Sequence, residues 1–139
     1  MAAKTEIAKA GAIAKVGVLT EYEHMYSEEV IPFGAGVMRG TDPDTQCKLM
    51  TTGGKFVGVA VEMGVELGAK REYPNPATVN IITTGQVYVQ VTAAVQAGDV
   101  AACGEGGKWA KTGTGSRDDV NGVFMTSAEP NGYAILKLK

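Results

Sequence analysis

The only histidine of the chain stands in a spacing that carboxylate metal sites use. Glu21 and His24 are separated by two residues, as in the Glu-x-x-His pairs that hold di-iron centres in helix bundles. Such a centre needs a second pair, and the chain has a single histidine. A Ser-His-Asp triad could use only His24, and no Gly-x-Ser-x-Gly turn accompanies it. We therefore interpret His24 as an ordinary surface or half-buried residue.

Cysteines and glycine-rich stretches are the next candidates for chemistry. Cys47 and Cys103 lack the paired spacing of zinc ligands. We interpret them as free, buried thiols, and a disulfide between them stays open because the sequence cannot set their distance. Gly54-Lys55 and Gly107-Lys108 are followed by Phe and Trp, where a phosphate-binding Walker loop needs Ser or Thr. Neither stretch predicts a nucleotide site.

Acidic side chains occur in two adjacent pairs, Glu28-Glu29 and Asp118-Asp119. Paired carboxylates could bind calcium or perform acid–base catalysis. Such pairs are more often solvated loop charges, and we interpret both in that way. The sequence thus predicts a protein that is not an enzyme and that needs no cofactor or metal.

Length and composition indicate a single domain with many turns. The chain has 139 residues, of which 45% are hydrophobic and 19 are glycine, about twice the usual glycine content. The formal net charge is −2 and no basic patch is concentrated anywhere, so we expect no direct contact with nucleic acid. No apolar run reaches the roughly 18 residues of a membrane span, and we expect a protein made in a cytoplasm without a membrane partner.

Alternating side chains predict strands at several places. Val79–Thr83 and Val87–Thr92 indicate two strands separated by Thr84-Gly85, because successive strand side chains point to opposite faces. Phe56–Val61 is apolar on both faces and predicts a strand between two layers. Tyr133–Lys139 predicts a final strand. In all we count six to eight short strands, which favour a sandwich, jelly roll or barrel.

The first 30 residues differ from the rest, so we divide the chain into an N-terminal arm or extension (1–30) and a β-domain (31–139). Residues 1–19 are alanine-rich and place apolar side chains at helical spacing, but Gly11 and Gly17 weaken a helix. This segment is either an arm that becomes ordered on a partner or a frayed terminus or first strand. Two polar loops are predicted in the β-domain, at Thr41–Thr45 and Thr112–Asp119.

Several fragments, taken in order, resemble a known family. They are Ile31-Pro32-Phe33-Gly34 with Val37-x-Arg39-Gly40, Phe56–Val61, Val87–Val91, Ala94–Val100, and a last strand after Pro130-Asn131-Gly132. Together they resemble the cement (decoration) proteins of tailed bacteriophage capsids, over about residue 31 to the C-terminus.

The resemblance implies an antiparallel β-domain of jelly-roll or β-tulip type, bound to the outside of an icosahedral head. Members of this family form dimers or trimers, bridge neighbouring major capsid proteins after the shell expands, and resist the pressure of the packaged DNA. The resemblance implies a virion protein that is assembled in the host cytoplasm, and it supplies no catalytic residue.

Contacts with the capsid are expected from segments without a clear core role, namely the arm and the two polar loops. The aromatic candidates have core packing as the alternative interpretation. The side chains that we predict to contact the capsid or another subunit are Ile7, Ile13, Tyr22, Tyr26, Phe33, Arg39, Trp109 and Arg117. Two other functions stay open: a phage tail or fibre component, and a small ligand-binding β-sandwich with an aromatic-lined cleft.

Overall fold

The regular structure of the protein is almost entirely β, which confirms the predicted class. The computed structural model describes residues 9–14, 19–62 and 71–139. In these ranges no helix is long and apolar enough to cross a membrane. A 3₁₀ turn forms at Glu105–Gly107. The strands of this part of the chain are β1 (Glu21–Ser27), β2 (Ile31–Pro32), β3 (Gly36–Arg39), β4 (Gln46–Leu49), β5 (Phe56–Ala60), β6 (Glu72–Tyr73), β7 (Thr78–Gln90), β8 (Val100–Gly104), β9 (Lys108–Lys111), β10 (Arg117–Phe124) and β11 (Tyr133–Leu138).

The longest strand, β7, spans 13 residues without interruption. The prediction of two strands separated by Thr84-Gly85 is therefore wrong. Gly85 has φ +132°, a conformation that side chains rarely adopt. At this point the chain stays extended and changes its neighbour: Thr84 pairs with Glu21 of β1, and Gly85 pairs with Leu138 of β11. The Thr84-Gly85 pair, which suggested a break in the sequence, is therefore the place where β7 changes its pairing from β1 to β11.

The N-terminal half of β7 belongs to a closed ring of five strands. The order is β1-β4-β3-β5-β7, and β1 pairs again with β7 to close it. The β1–β7 register runs from Glu21↔Thr84 to Tyr26↔Thr78. All pairings in this ring are antiparallel except β1–β4. A small separate sheet, β2 with β6, lies outside this order.

The C-terminal half of β7 begins a second ring, in the order β7-β11-β10-β8-β9. This ring closes just beyond β7, where Val91 forms a parallel bridge with Trp109 of β9. The Thr92 N–H donates to the Trp109 carbonyl over 2.9 Å. The molecule is thus built from two barrel-like rings that share one strand.

Two separate hydrophobic cores pack against the two rings. Neighbouring residues of β5 and β7 point into different cores, as Val59 and Ile82 do on one side and Ala60 and Ile81 on the other. The first-ring core consists of Met25, Ile31, Phe33, Ala35, Val37, Cys47, Ala60, Tyr73, Val79 and Ile81. The second-ring core consists of Met50, Val59, Val61, Ile82, Val87, Val89, Val91, Val95, Ala101, Cys103, Trp109, Val120, Phe124, Ala134, Leu136 and Leu138.

Strand β5 lies between the two cores, as its apolar faces predicted. The predicted alternation is wrong at the start of the strand, because Val57 packs with the first-ring core and Phe56 packs with the second-ring core. The β3–β5 register shifts between Val37 and Met38. An irregularity of this kind turns the following side chains to the other face, and the sequence alone does not reveal it.

Part of the predicted arm is paired with the sheet. Residues 21–27, which we assigned to the arm or extension, form strand β1. Residues 9–14 run along β7: the Gly11 N–H donates to the Tyr88 carbonyl over 2.8 Å, and the Tyr88 N–H donates to Ala12 over 2.9 Å. Ile13 bridges Val87. Residues 1–8 and 15–18 lie outside the described residues, so an arm at 1–8 stays a prediction.

We expect Gly85→Ala to lower the free energy of unfolding by about 1–3 kcal/mol, because a Cβ is strained at this φ. The added methyl would also meet the Ile82 side chain at 2.9 Å. Urea unfolding measures the loss, and Thr83→Ala, at a neighbouring position without a positive φ, is the control. Equal stability of the two variants would contradict the junction role of Gly85.

Candidate functional site

The predicted contact residues fall into different environments. Tyr22 and Tyr26 are 49% and 57% exposed, and Arg39 is exposed too. Ile13 and Arg117 are half-buried. Ile7 lies outside the described residues. Tyr22 and Tyr26 lie together on one strand, and Phe33 and Trp109 line the same cleft.

Phe33 and Trp109 lie in the cores, where burial leaves almost no side-chain surface for a partner. They are 5% and 1% exposed. The Trp109 indole N–H donates to the Gly34 carbonyl over 2.9 Å, and its ring meets Phe56 edge-on with centroids 5.9 Å apart. This bond joins β9 of the second ring to the turn before β3 of the first. The core interpretation of both aromatics is the one that the structure supports.

Arg39 and Arg117 each fix one of the two predicted polar loops. The Arg39 Nη1 donates to the Pro43 carbonyl over 2.8 Å, and the Arg117 Nη1 donates to the Thr114 carbonyl over 2.8 Å. A second bond joins the Arg117 Nη2 to the Thr92 hydroxyl over 2.8 Å. Residues 117–119, predicted as loop, begin β10. The loops are held in one conformation by their arginines.

The acidic pairs are solvent-accessible, as predicted, and each carboxylate also accepts a hydrogen bond from the protein. Glu28 accepts from the Thr41 N–H over 2.8 Å, and Glu29 accepts from the Leu49 N–H over 3.0 Å. Asp118 accepts from the Gly53 N–H, and Asp119 accepts from the Thr112 hydroxyl. Hydrogen bonds from the Thr41 hydroxyl and N–H hold the pKa of Glu28 below its usual 4.5. Three of these carboxylates accept from backbone N–H groups, and Asp119 accepts from a side-chain hydroxyl.

Strand β1 presents the most unusual surface of the described residues. Residues 21–24 are exposed on both faces of the strand, and only Met25 and Ser27 point into the protein. Tyr22, His24 and Tyr26 share the outer face, since alternate strand residues point the same way. His24 is exposed, as predicted. The sequence gives little indication of a strand here, because buried and exposed residues begin to alternate only at Met25.

A second exposed surface is apolar and lies on the outside of the second ring. Val100, Met125 and Tyr133 are each more than two-fifths exposed. Val100 pairs with the half-buried Val123, and the Met125 N–H donates to the Ile135 carbonyl over 2.7 Å. We call these five residues the apolar patch. Clustered apolar side chains of this kind often mark a protein interface.

The two cysteines are poor nucleophiles in this fold. Cys47 and Cys103 are free and buried, as predicted. Burial raises their thiol pKa values to about 11 and about 12, which suppresses the reactive thiolate. Within the described ranges, no group of three or more His, Cys, Asp or Glu could hold a metal ion.

A cleft of about 210 Å³ runs past Phe33, Trp109 and Lys108, and both aromatics in it are buried.

Lowering the pH should loosen the Thr41–Thr45 loop through Glu28. Because folding lowers the pKa of this carboxyl, its stabilising effect is present above the ordinary value of 4.5 and is lost as the pH falls through the lower folded value. Hydrogen exchange of the Thr41 amide, corrected for its intrinsic rate, should show this loss of protection.

In Glu28→Gln the same amide should lose most of its pH dependence, since the remaining acceptor cannot ionise. Glu23→Gln, which changes an exposed glutamate of β1, is the matched control. An unchanged pH profile in Glu28→Gln would contradict the assignment.

Comparison with known proteins gives a family match and two related folds. A family model described as "Structural cement protein (E217 gp24/Pam3 gp6)" matches residues 2–139. A chain from "The capsid of Myoviridae Phage XM1" has a TM-score of 0.76 at 15% identity and covers 94% of this chain and 89% of that one. The head fiber gp8.5 N base of bacteriophage phi29 has a TM-score of 0.54 at 12% identity, with 87% and 95% covered. No curated protein sequence matches. At these identities the structural matches show a shared fold.

Proposed function

This chain belongs to the structural cement protein family of phages, and we propose that it binds the outer surface of the head and bridges neighbouring major capsid proteins. The family match over residues 2–139 is the observation that carries the proposal. A capsid-associated structural role is common to the family. The outer face, the bridging and the resistance to DNA pressure are the finer points that we propose here.

The physical build of the protein suits such a role. Two closed rings with separate buried cores make a rigid body, and loops fixed by carboxylates and arginines lose little freedom on binding. A head offers many identical sites, so bridging two of them with one protein adds avidity to modest contacts. Stiffness between two contact points is what transmits load from one capsid protein to the next.

The two exposed surfaces divide the proposed contacts between them. We assign β1 and the neighbouring Thr41–Thr45 loop to the shell, because Tyr22 and Tyr26 are exposed there. We assign the apolar patch to self-association into a dimer or trimer, because the centre of a homo-oligomer interface is usually apolar. Residues 1–8 are proposed as a further arm onto the shell.

The proposal is tested by adding the purified protein to heads that lack it. Saturable co-sedimentation is expected, at a copy number that matches icosahedral symmetry, together with a higher melting temperature of the heads. Sedimentation of the free protein then gives the dimer or trimer. Absence of binding to expanded heads would refute the cement function, and binding at a single vertex would favour the alternative of a tail or fibre component.

Deleting residues 1–8 tests the arm in the same assay. We expect clearly lower head occupancy with unchanged thermal unfolding, because the truncated chain keeps the pairing of residues 9–14 with β7. Deleting residues 1–19 is not an equivalent test, since it removes that pairing and the buried Ala12. Full occupancy by the shorter deletion would exclude an arm contact.

A further inference from the structure

Among the described residues, no strand pairs with one edge of β1 over its first half. The Ser27 N–H donates to the Ala77 carbonyl, and the register places Met25 opposite Val79 and Glu23 opposite Ile81. In an antiparallel pair, alternate residues direct both backbone groups to the neighbour. The odd-numbered residues of β1 therefore face β7, and the even-numbered residues face away from it.

In the part of the chain that the structure describes, that second edge is paired at the end of β1. The Tyr26 N–H donates to the Thr45 carbonyl over 2.8 Å, and the Glu28 N–H donates to Cys47 over 3.1 Å. The β1–β4 pairing comprises Tyr26 and Ser27. No described strand pairs with the same edge at Tyr22 and His24, and both side chains are exposed. We call residues 21–25 of β1 the free edge.

The charges on this edge select the partner. The free edge contains Glu21 and Glu23 and no lysine or arginine. A second copy pairing through the same edge would place glutamates opposite glutamates, which is unfavourable. Charged side chains on an edge strand thus oppose edge-to-edge pairing between copies of the same protein. An extended segment that carries Lys or Arg meets no such repulsion, and its cations can also lie over the rings of Tyr22 and Tyr26.

We infer that the free edge binds an extended, basic segment of the shell protein by strand addition. The added strand would lie beside the first half of β1, on the edge that β4 covers at Tyr26 and Ser27. This inference rests on the proposed function, because the shell supplies the segment. The backbone groups of Tyr22 and His24 provide hydrogen bonds, and the neighbouring glutamates provide the charge preference. A parallel segment would continue the direction of β4, whose pairing with β1 is parallel.

Replacing one backbone donor tests the strand addition. His24→Pro removes an N–H that points away from β7, a position where an edge strand tolerates proline. We expect it to bind heads on the order of tenfold more weakly than the unchanged protein. His24→Ala keeps the N–H and should bind like the unchanged protein. Equal binding by both variants, or an equal loss in both, would overturn the inference.

Two further measurements keep the test decisive if His24→Pro fails to fold. In the unchanged protein, hydrogen exchange of the Tyr22 and His24 amides should slow when heads are bound, while the Glu23 and Met25 amides, already paired with β7, change little. Glu21→Gln with Glu23→Gln should reduce the salt dependence of binding. Unslowed exchange at Tyr22 and His24 in head-bound protein would refute the strand addition.

These outcomes separate the inference from the function. If the unchanged protein does not bind heads, the proposed cement function fails. If it binds heads while His24→Pro binds as well as His24→Ala, the function stands and the free edge is not the contact.

Discussion

Strand β7 is the constraint on which the rest of the structure depends. Its N-terminal half closes the first ring by pairing with both β1 and β5, and its C-terminal half pairs with β11 and with residues 11–14. Val79, Ile81, Ile82, Val87 and Val89 are all completely buried. A strand buried on both faces and paired on both edges cannot shift by one residue without exposing a core. The two rings are therefore fixed relative to each other by the backbone of one strand.

Hydrogen bonds from charged side chains hold the surface loops in place before any partner binds. Charged side chains near strand ends satisfy loop amides and carbonyls, as Glu28 does for Thr41 and Arg117 does for Thr114. Only one ion pair, Arg71 with Glu62, is formed among the described residues, so the charges serve the backbone more than each other. A loop that becomes ordered on binding loses conformational entropy, which weakens the contact. Loops that are already held by hydrogen bonds avoid most of this loss and favour a static, long-lived contact.

Most of the strand content was predictable from local pattern, and the connections were not. Val87, Val89 and Val91 alternate with polar residues and were recognised as a buried strand face, and the apolar faces of β5 indicated two layers. Gly85 was interpreted as a break between two strands, because the sequence cannot show that one extended strand changes its pairing partner at a glycine. Strand β1 was missed because its first four residues are exposed on both faces. The hydrogen bonds of the acidic pairs could not be predicted, because their partners, Thr41 and Gly53 among them, are distant in sequence and meet only in the fold.

The shared strand also has a consequence for biosynthesis. The strands of the first ring lie within residues 21–84, and those of the second within 85–138. A ribosome delivers the chain from its N-terminus, so the first ring can close while the partners of Val87, Val89 and Val91 are still unmade. During that interval these valines form an uncovered edge that invites wrong pairing. A chain that stops before β11 therefore exposes these valines to other incomplete chains, whereas a completed chain covers them.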